Sequence, residues 1–158
     1  MNAYSKLALT FACVAAASAA PAAPVRPSPA WSGTWQLNPA KSKFSSAAPQ
    51  WERRTITISN NRMAVRSRGA TASGKSIHFN YSVAMDGRFY PLVGNPDGDS
   101  ISMRLASPAR VDIEVRRHGR PSASATTEVS ANRLTMRRHR LELSGSASDD
   151  ILVYDRAR

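Results

Sequence analysis

Ile77-His78-Phe79-Asn80-Tyr81-Ser82-Val83-Ala84-Met85 alternates without a break. Ile77, Phe79, Tyr81, Val83 and Met85 fall on one side of an extended chain and His78, Asn80, Ser82 and Ala84 on the other, the period of a half-buried β-strand. Asp86-Gly87 then turns the chain. Working outward, the same pattern repeats on both sides. Upstream, Arg54, Ile56 and Ile58 alternate with Thr55 and Thr57, and Met63 and Val65 return after Asn60-Asn61, residues that tolerate the positive backbone angles of a tight hairpin. Downstream, Arg88 to Val93 reads as a short strand that Pro91 marks as an edge or a bulge. Gly94-Asn95-Pro96-Asp97-Gly98-Asp99 is a dense turn signal, followed by the alternating runs Ile101-x-Met103-x-Leu105 and Val111-x-Ile113-x-Val115. His118-Gly119-Arg120 reverses the chain into a strand whose inner parity holds small residues, Ala123, Ala125 and Thr127. Leu134 and Met136 then share one parity, and Leu141 and Leu143 the other, which predicts a bulge near Arg138. Gly145 to Asp149 turns into a last run ending at Tyr154-Asp155-Arg156. The fold predicted is all-β: an up-and-down antiparallel meander β-barrel of about eight to ten strands, closed so that no long edge is exposed.

The N-terminal end is of another kind. Residues 1–20 carry Lys6, an apolar run from Leu7 to Ala16 and the small residues Ala17-Ser18-Ala19, the pattern of a cleaved secretory signal peptide. A membrane span needs about 20 apolar residues in a row, and Ser5, Thr10, Ser18 and Pro21 interrupt this one. The expectation is a secreted or periplasmic protein with no transmembrane segment in the mature chain. Residues 21–30 contain four prolines and little to bury, a proline-rich disordered leader ahead of a barrel domain over 31–158. Cys13, the single cysteine, lies inside the signal, so the mature chain has no disulfide, no thiolate nucleophile and no cysteine-bound metal. The net charge of +11 comes almost wholly from arginine, the lysines being Lys6, Lys41, Lys43 and Lys75. Such a surface favours anionic partners, and the guanidinium fork suits phosphate and carboxylate.

Gly33-Thr34-Trp35 opens the first strand just after the leader. With the strand count and the hairpin order, it resembles the calycin superfamily of lipocalins and fatty-acid-binding proteins. More narrowly, Gly33 to Phe44, Asp86-Gly87 with Tyr90-Pro91 and Gly94-Asn95-Pro96, and Val153-Tyr154-Asp155-Arg156 look like a group of secreted bacterial lipocalin-like proteins. The resemblance covers most of the mature chain. It implies that Trp35 packs at the closed end of the barrel, with Gly33 beside it for close backbone approach and a basic residue from the chain end, Arg156 or Arg158, over the indole. Fatty-acid-binding proteins grip a carboxylate with Arg-x-Tyr on the last strand; here the order is Tyr154-x-Arg156 and there is no room for their helical lid, so fatty-acid recognition does not transfer.

No motif names a reaction. Gly69-Ala70-Thr71-Ala72-Ser73-Gly74-Lys75-Ser76 fits G-x-x-x-x-G-K-[ST], but a nucleotide loop must run into a helix whose amides cradle phosphate, and here a strand follows. It reads as a polar hairpin turn, with no nucleotide partner. Asn95-Pro96-Asp97-Gly98-Asp99 has the look of a calcium loop, yet Ser100 and Ala106 stand where an EF-hand needs glycine and glutamate. His78, His118 and His139 have no ligand spacing, and Asp86, Asp112 and Glu114 sit at a turn or on solvent-facing parity. The reading is a non-enzyme with no catalytic residues, metal or cofactor.

Two functional classes remain. In the first, a small apolar or amphipathic ligand occupies the barrel interior, where small residues such as Ala125 face large ones; the candidate lining is Phe79, Tyr81, Tyr90, Met103, Ile113, Ala125 and Arg138. In the second, the barrel is a scaffold whose basic surface, Arg53, Arg116, Arg137 and Arg140, binds an anionic envelope polymer or acidic partner.

Overall fold

A computed structural model describes residues 25–141 and 145–157; the predicted signal peptide, the first part of the leader, Leu143 and Arg158 lie outside these. The described chain is one antiparallel sheet of ten strands: β1 (Gly33–Leu37), β2 (Trp51–Ser59), β3 (Arg62–Ala70), β4 (Ser76–Ala84), β5 (Asp86–Pro91), β6 (Ser100–Ser107), β7 (Arg110–Arg117), β8 (Arg120–Val129), β9 (Arg133–Leu141) and β10 (Ala147–Arg156). Every strand pairs with its sequence neighbour except β4 with β5, and β1 pairs with β10. The sheet curls into a barrel whose seam lies between β4 and β5; at the connection between these strands Met85 N–H donates to Asn61 O in the β2–β3 turn, and Leu105 N–H on β6 donates to Met85 O. The closure predicted from the meander is therefore incomplete. Pro91, which cannot donate to a ladder, lies on a strand bordering that seam.

Local chemistry explains the turns. Asn60 and Asn61 both hold positive φ, 47° and 57°, in the β2–β3 hairpin. The phosphate-loop look-alike is the β3–β4 hairpin: Thr71 N–H donates to Lys75 O, and the chain passes directly from strand to strand. In the turn over residues 94–99, Asn95 Oδ1 caps Asp97 N–H and Asp99 Oδ2 accepts from His118 N–H.

Two expectations need correction. The β9 ladder runs in register with both neighbours, from Arg133↔Asp155 to Leu141↔Ala147 and from Leu134↔Val129 to Arg140↔Ala123, so no bulge occurs near Arg138. The apolar slip is resolved by exposure instead: Leu141 is 44% exposed on the outer face, and the inward parity continues Leu134, Met136, Arg138, Arg140. The leader also ends earlier than residue 30. Ser28 N–H donates to Pro108 O, and Pro29–Trp31 forms a 3-10 turn against the barrel floor, stabilised by the Ser28 side chain.

That floor is filled. Trp31 and Trp35 are fully buried, with Tyr154, Met103, Leu134, Val83 and Val111 around them. Trp31 Nε1 donates to Pro108 O and Trp35 Nε1 to Trp31 O, so neither indole N–H is left unpaired. Arg156 lies over the Trp35 ring at 4.2 Å and donates to three carbonyls, those of Ala131, Ser32 and Ala30. A methyl group at Gly33, whose φ is +147°, would overlap the Arg156 guanidinium, so a side chain there would displace the cation from the indole.

At the opposite end the β1–β2 connection arches over the mouth. Asn38 N–H bonds Val153 O, Lys43 makes a two-bond bridge with Ile151, and Ser45 donates through both N–H and Oγ to Asp150 Oδ1.

Candidate functional site

The upper half of the barrel is hollow. A cavity of about 760 Å³ opens between the β1–β2, β3–β4 and β5–β6 connections and reaches down to Arg54 and Met136. Its size is that of a small-molecule site. Of the predicted lining residues, Phe79, Tyr81, Ile113, Ala125 and Arg138 face it. Met103 and Tyr90 do not: Met103 is fully buried in the packed floor, and Tyr90 sends its hydroxyl to Asp86 Oδ2 at 2.7 Å. The Phe79 and Tyr81 rings stack with planes 1° apart and centroids 6.2 Å apart. Ala123 and Ala125 leave room because they are small, and neighbouring side chains do not fill the space they concede.

The cavity also contains charge that composition alone did not locate. On β2, Glu52 and Arg54 share the inward parity with Ile56. Glu52 Oε1 accepts from Arg54 Nε at 2.6 Å and from Ser67 Oγ at 2.6 Å. Burial opposes the Glu52 charge, but Arg54 and Ser67 outweigh it and hold the carboxyl below its ordinary range. The Arg54 guanidinium also packs between the rings of Phe79, at 5.8 Å, and Tyr154, at 4.9 Å, and touches Met136 Sδ. Burial raises the phenol pKa of both Tyr154 and Tyr81, an effect that Arg54 only partly offsets, so both stay neutral donors. The Tyr154 hydroxyl is buried with no hydrogen bond of normal geometry.

Nearer the mouth, Arg138 and Asp150 are cross-strand partners on β9 and β10. Asp150 Oδ2 accepts from Arg138 Nη2 at 2.8 Å and from Arg140 Nη2 at 3.3 Å, while Oδ1 takes both Ser45 donors. Burial again opposes this carboxylate's charge; Ser45 and Arg138 prevail and lower its pKa. Arg138 and Arg140 are only partly covered, 22% and 26% exposed, and Arg140 Nε has no acceptor. Among the described lining residues of the cavity there are thus four cations, Arg54, Lys75, Arg138 and Arg140, against three anions, Glu52, Asp97 and Asp150.

The residues expected to form a basic outer surface are dispersed. Arg140 points inward. Arg116 pairs with Glu114 and covers Phe89, with its guanidinium 3.9 Å from the ring centroid, and Arg137 pairs with Glu128. Arg53 alone of the set has no carboxylate partner, its Nε donating to Gln36 Oε1. The signal for the inner charges was present in the strand parity: Glu52 and Arg54 occupy the positions that Ile56 and Ile58 mark as inward.

No protein-family model matches the chain, and no curated protein sequence does. Among solved structures, the chain is similar to the zebrafish ileal bile acid-binding protein complexed with cholic acid, at 11% identity and a TM-score of 0.52 over 81% of this chain and 99% of that one. Lobster apocrustacyanin A1 aligns at 17% identity and a TM-score of 0.40, over 81% of this chain and 61% of that one. At 11% identity the likeness to the bile acid-binding protein is one of fold alone, an antiparallel β-barrel.

Proposed function

We propose that this protein is a non-catalytic carrier or sensor, acting in a secreted or periplasmic setting, that holds a small amphipathic anion in the upper half of its barrel. The observation that carries the reading is the mouthward cavity itself: about 760 Å³, apolar along Phe79, Tyr81, Ile113 and Ala125, with one cation in excess among its described charged lining residues. Glu52 already occupies Arg54, so the deep guanidinium is neutralised and orients Phe79 and Tyr154. Arg138 and Arg140 share a single carboxylate oxygen and keep donors to spare. An anionic head group placed there would restore charge balance, with its apolar body against the aromatic pair.

The test is titration with a fluorescent naphthalene sulfonate, followed by displacement with a long-chain carboxylate and with the alcohol of equal length. A charge-assisted hydrogen bond of about 1.5–3 kcal/mol predicts that the acid competes at least about tenfold better than the alcohol. Arg138→Gln should erase that preference while leaving the alcohol's affinity in place. Unsaturable uptake, or equal displacement by acid and alcohol, would contradict the reading.

A further inference from the structure

The outer wall of the barrel is divided by charge. Around β6 to β10 acids are interspersed with the cations: Arg104 and Arg110 meet Asp112, Arg116 meets Glu114, Arg137 meets Glu128, and His139 meets Asp149, while Arg117, Arg120 and Arg133 make no ion pair among the described residues. On β1 to β4 the only acid is Glu52, and it points into the cavity. The outward cations of those strands, Arg53, Arg62, Arg66 and Arg68, include no lysine and make no ion pair. Arg66 and Arg68 are exposed, and their side chains make no hydrogen bond to any described residue.

Their arrangement costs the fold something. Arg53 stands directly opposite Arg68 in the β2–β3 ladder, and like charges in that position repel. Arg68 in turn faces His78 on β4, so Arg53, Arg68 and His78 form one row across three strands, spaced about 4.8 Å apart. Arg66 lies two residues along from Arg68, about 6.6 Å away on the same face. Trp51, 46% exposed, stands two residues from Arg53 on that face.

We infer that this wall is a binding surface for a flexible, single-stranded phosphodiester chain, that is, single-stranded nucleic acid. Guanidinium forks match phosphate oxygens, and Arg53, Arg66 and Arg68, without competing carboxylates, form one electropositive patch, with Arg62, which donates to Ser82 O, about 13 Å beyond Arg66 on the same strand. Trp51 and His78 offer ring faces on which bases can stack between those contacts. The outer side of a barrel is convex, so a flexible strand follows it where a stiff duplex would meet only one or two of the cations. No large aliphatic side chain lies among these outward positions, which disfavours insertion into a lipid surface or an apolar protein interface.

Fluorescence anisotropy of the protein with a labelled oligothymidylate, read across a salt series, tests the inference. Each phosphate contact contributes a slope of about 0.7 in log affinity against log salt, so the Arg53→Ser/Arg66→Ser/Arg68→Ser variant should lose about 2 in slope and at least about tenfold in affinity at low salt. The charge-matched Arg104→Ser/Arg110→Ser/Arg137→Ser variant, altered on the opposite wall, should stay within about threefold of the wild type. Trp51→Ala should weaken the oligonucleotide by about fivefold or more through lost stacking, and leave a heparin-type polysulfate unaffected. Equal losses in the two triple variants would overturn the inference, as would tighter, Trp51-independent binding of the polysulfate or of anionic lipid vesicles. The replaced arginines are exposed, and naphthalene sulfonate uptake by the triple variants reports both their fold and the cavity, so failure on this wall is distinguishable from failure of the interior site.

Discussion

The two ends of the barrel are built from the same ten strands with the same inward parity, yet one is solid and the other hollow. At the floor the inward positions are Trp35, Ile56, Val83, Met103, Val111, Leu134 and Tyr154, which interlock and exclude solvent. Two or four residues further along β2, β4, β9 and β10, and on β8, the inward positions become Glu52, Arg54, Tyr81, Ala123, Ala125, Arg138 and Asp150. Charged groups that must keep hydrogen-bond geometry cannot close-pack as aliphatic ones do, and alanines opposite them leave the volume unclaimed. Stability is thus concentrated at one end and binding capacity at the other.

The floor should be the costlier end to damage. Trp35→Ala removes the largest side chain at the centre of the packed end and leaves Arg156 without its ring; the expected loss is about 3–5 kcal/mol by denaturant unfolding. A loss under about 1 kcal/mol would show that the floor does not organise the barrel. Arg54→Met asks whether the boundary between the halves is electrostatic. It strands Glu52 in a buried site and should cost about 3–5 kcal/mol, most of which Glu52→Leu in the same chain should restore, because the pair is replaceable by packed apolar groups while a half-pair is not. No recovery in the double variant would mean that the guanidinium acts through packing on Phe79 and Tyr154 alone.

How much of this contrast can be read without coordinates depends on range. The hairpin at Asn60-Asn61 is local and declares itself through backbone preference. The placement of Arg156 on Trp35 spans the chain, and only the resemblance carried by Gly33-Thr34-Trp35 implies it, with Arg158 as the alternative. Arg138 shows the opposite case. Treating Leu141 as a core residue implies a bulge, whereas Leu141 is outside and the strand carries two arginines inward in unbroken register. Apolar residues at the surface are common, and an inward-facing arginine is stable only when it is paired; Asp150 lies 12 positions away and becomes that partner only through the β9–β10 register. The Glu52–Arg54 pair is separated by two positions and its parity was readable, but nothing in a strand pattern tells a charged inward position from an edge residue. The cavity was least legible of all, since empty volume is a property of how facing walls meet.

The mouth should yield a smaller, pH-dependent effect. Glu52 and Asp150 both have folded pKa values below their ordinary ranges, so their contributions are fully present above the unfolded carboxylate value near about 4 and are lost as pH falls through the folded value. Asp150→Asn should therefore cost about 2–3 kcal/mol at neutral pH, and the gap to the wild type should narrow as the solution is acidified below about pH 4. A gap that is constant over that range would assign Asp150 a packing role only.

The central claim, that the upper half binds and the lower half does not, can be mapped directly by heteronuclear NMR during titration with the naphthalene sulfonate. Saturable one-to-one shifts are predicted for the backbone amides of Phe79, Tyr81, Ala125, Arg138 and Arg140, with the indole N–H signals of Trp31 and Trp35 unmoved. Shifts confined to the outer wall, or centred on those two buried indoles, would contradict the account.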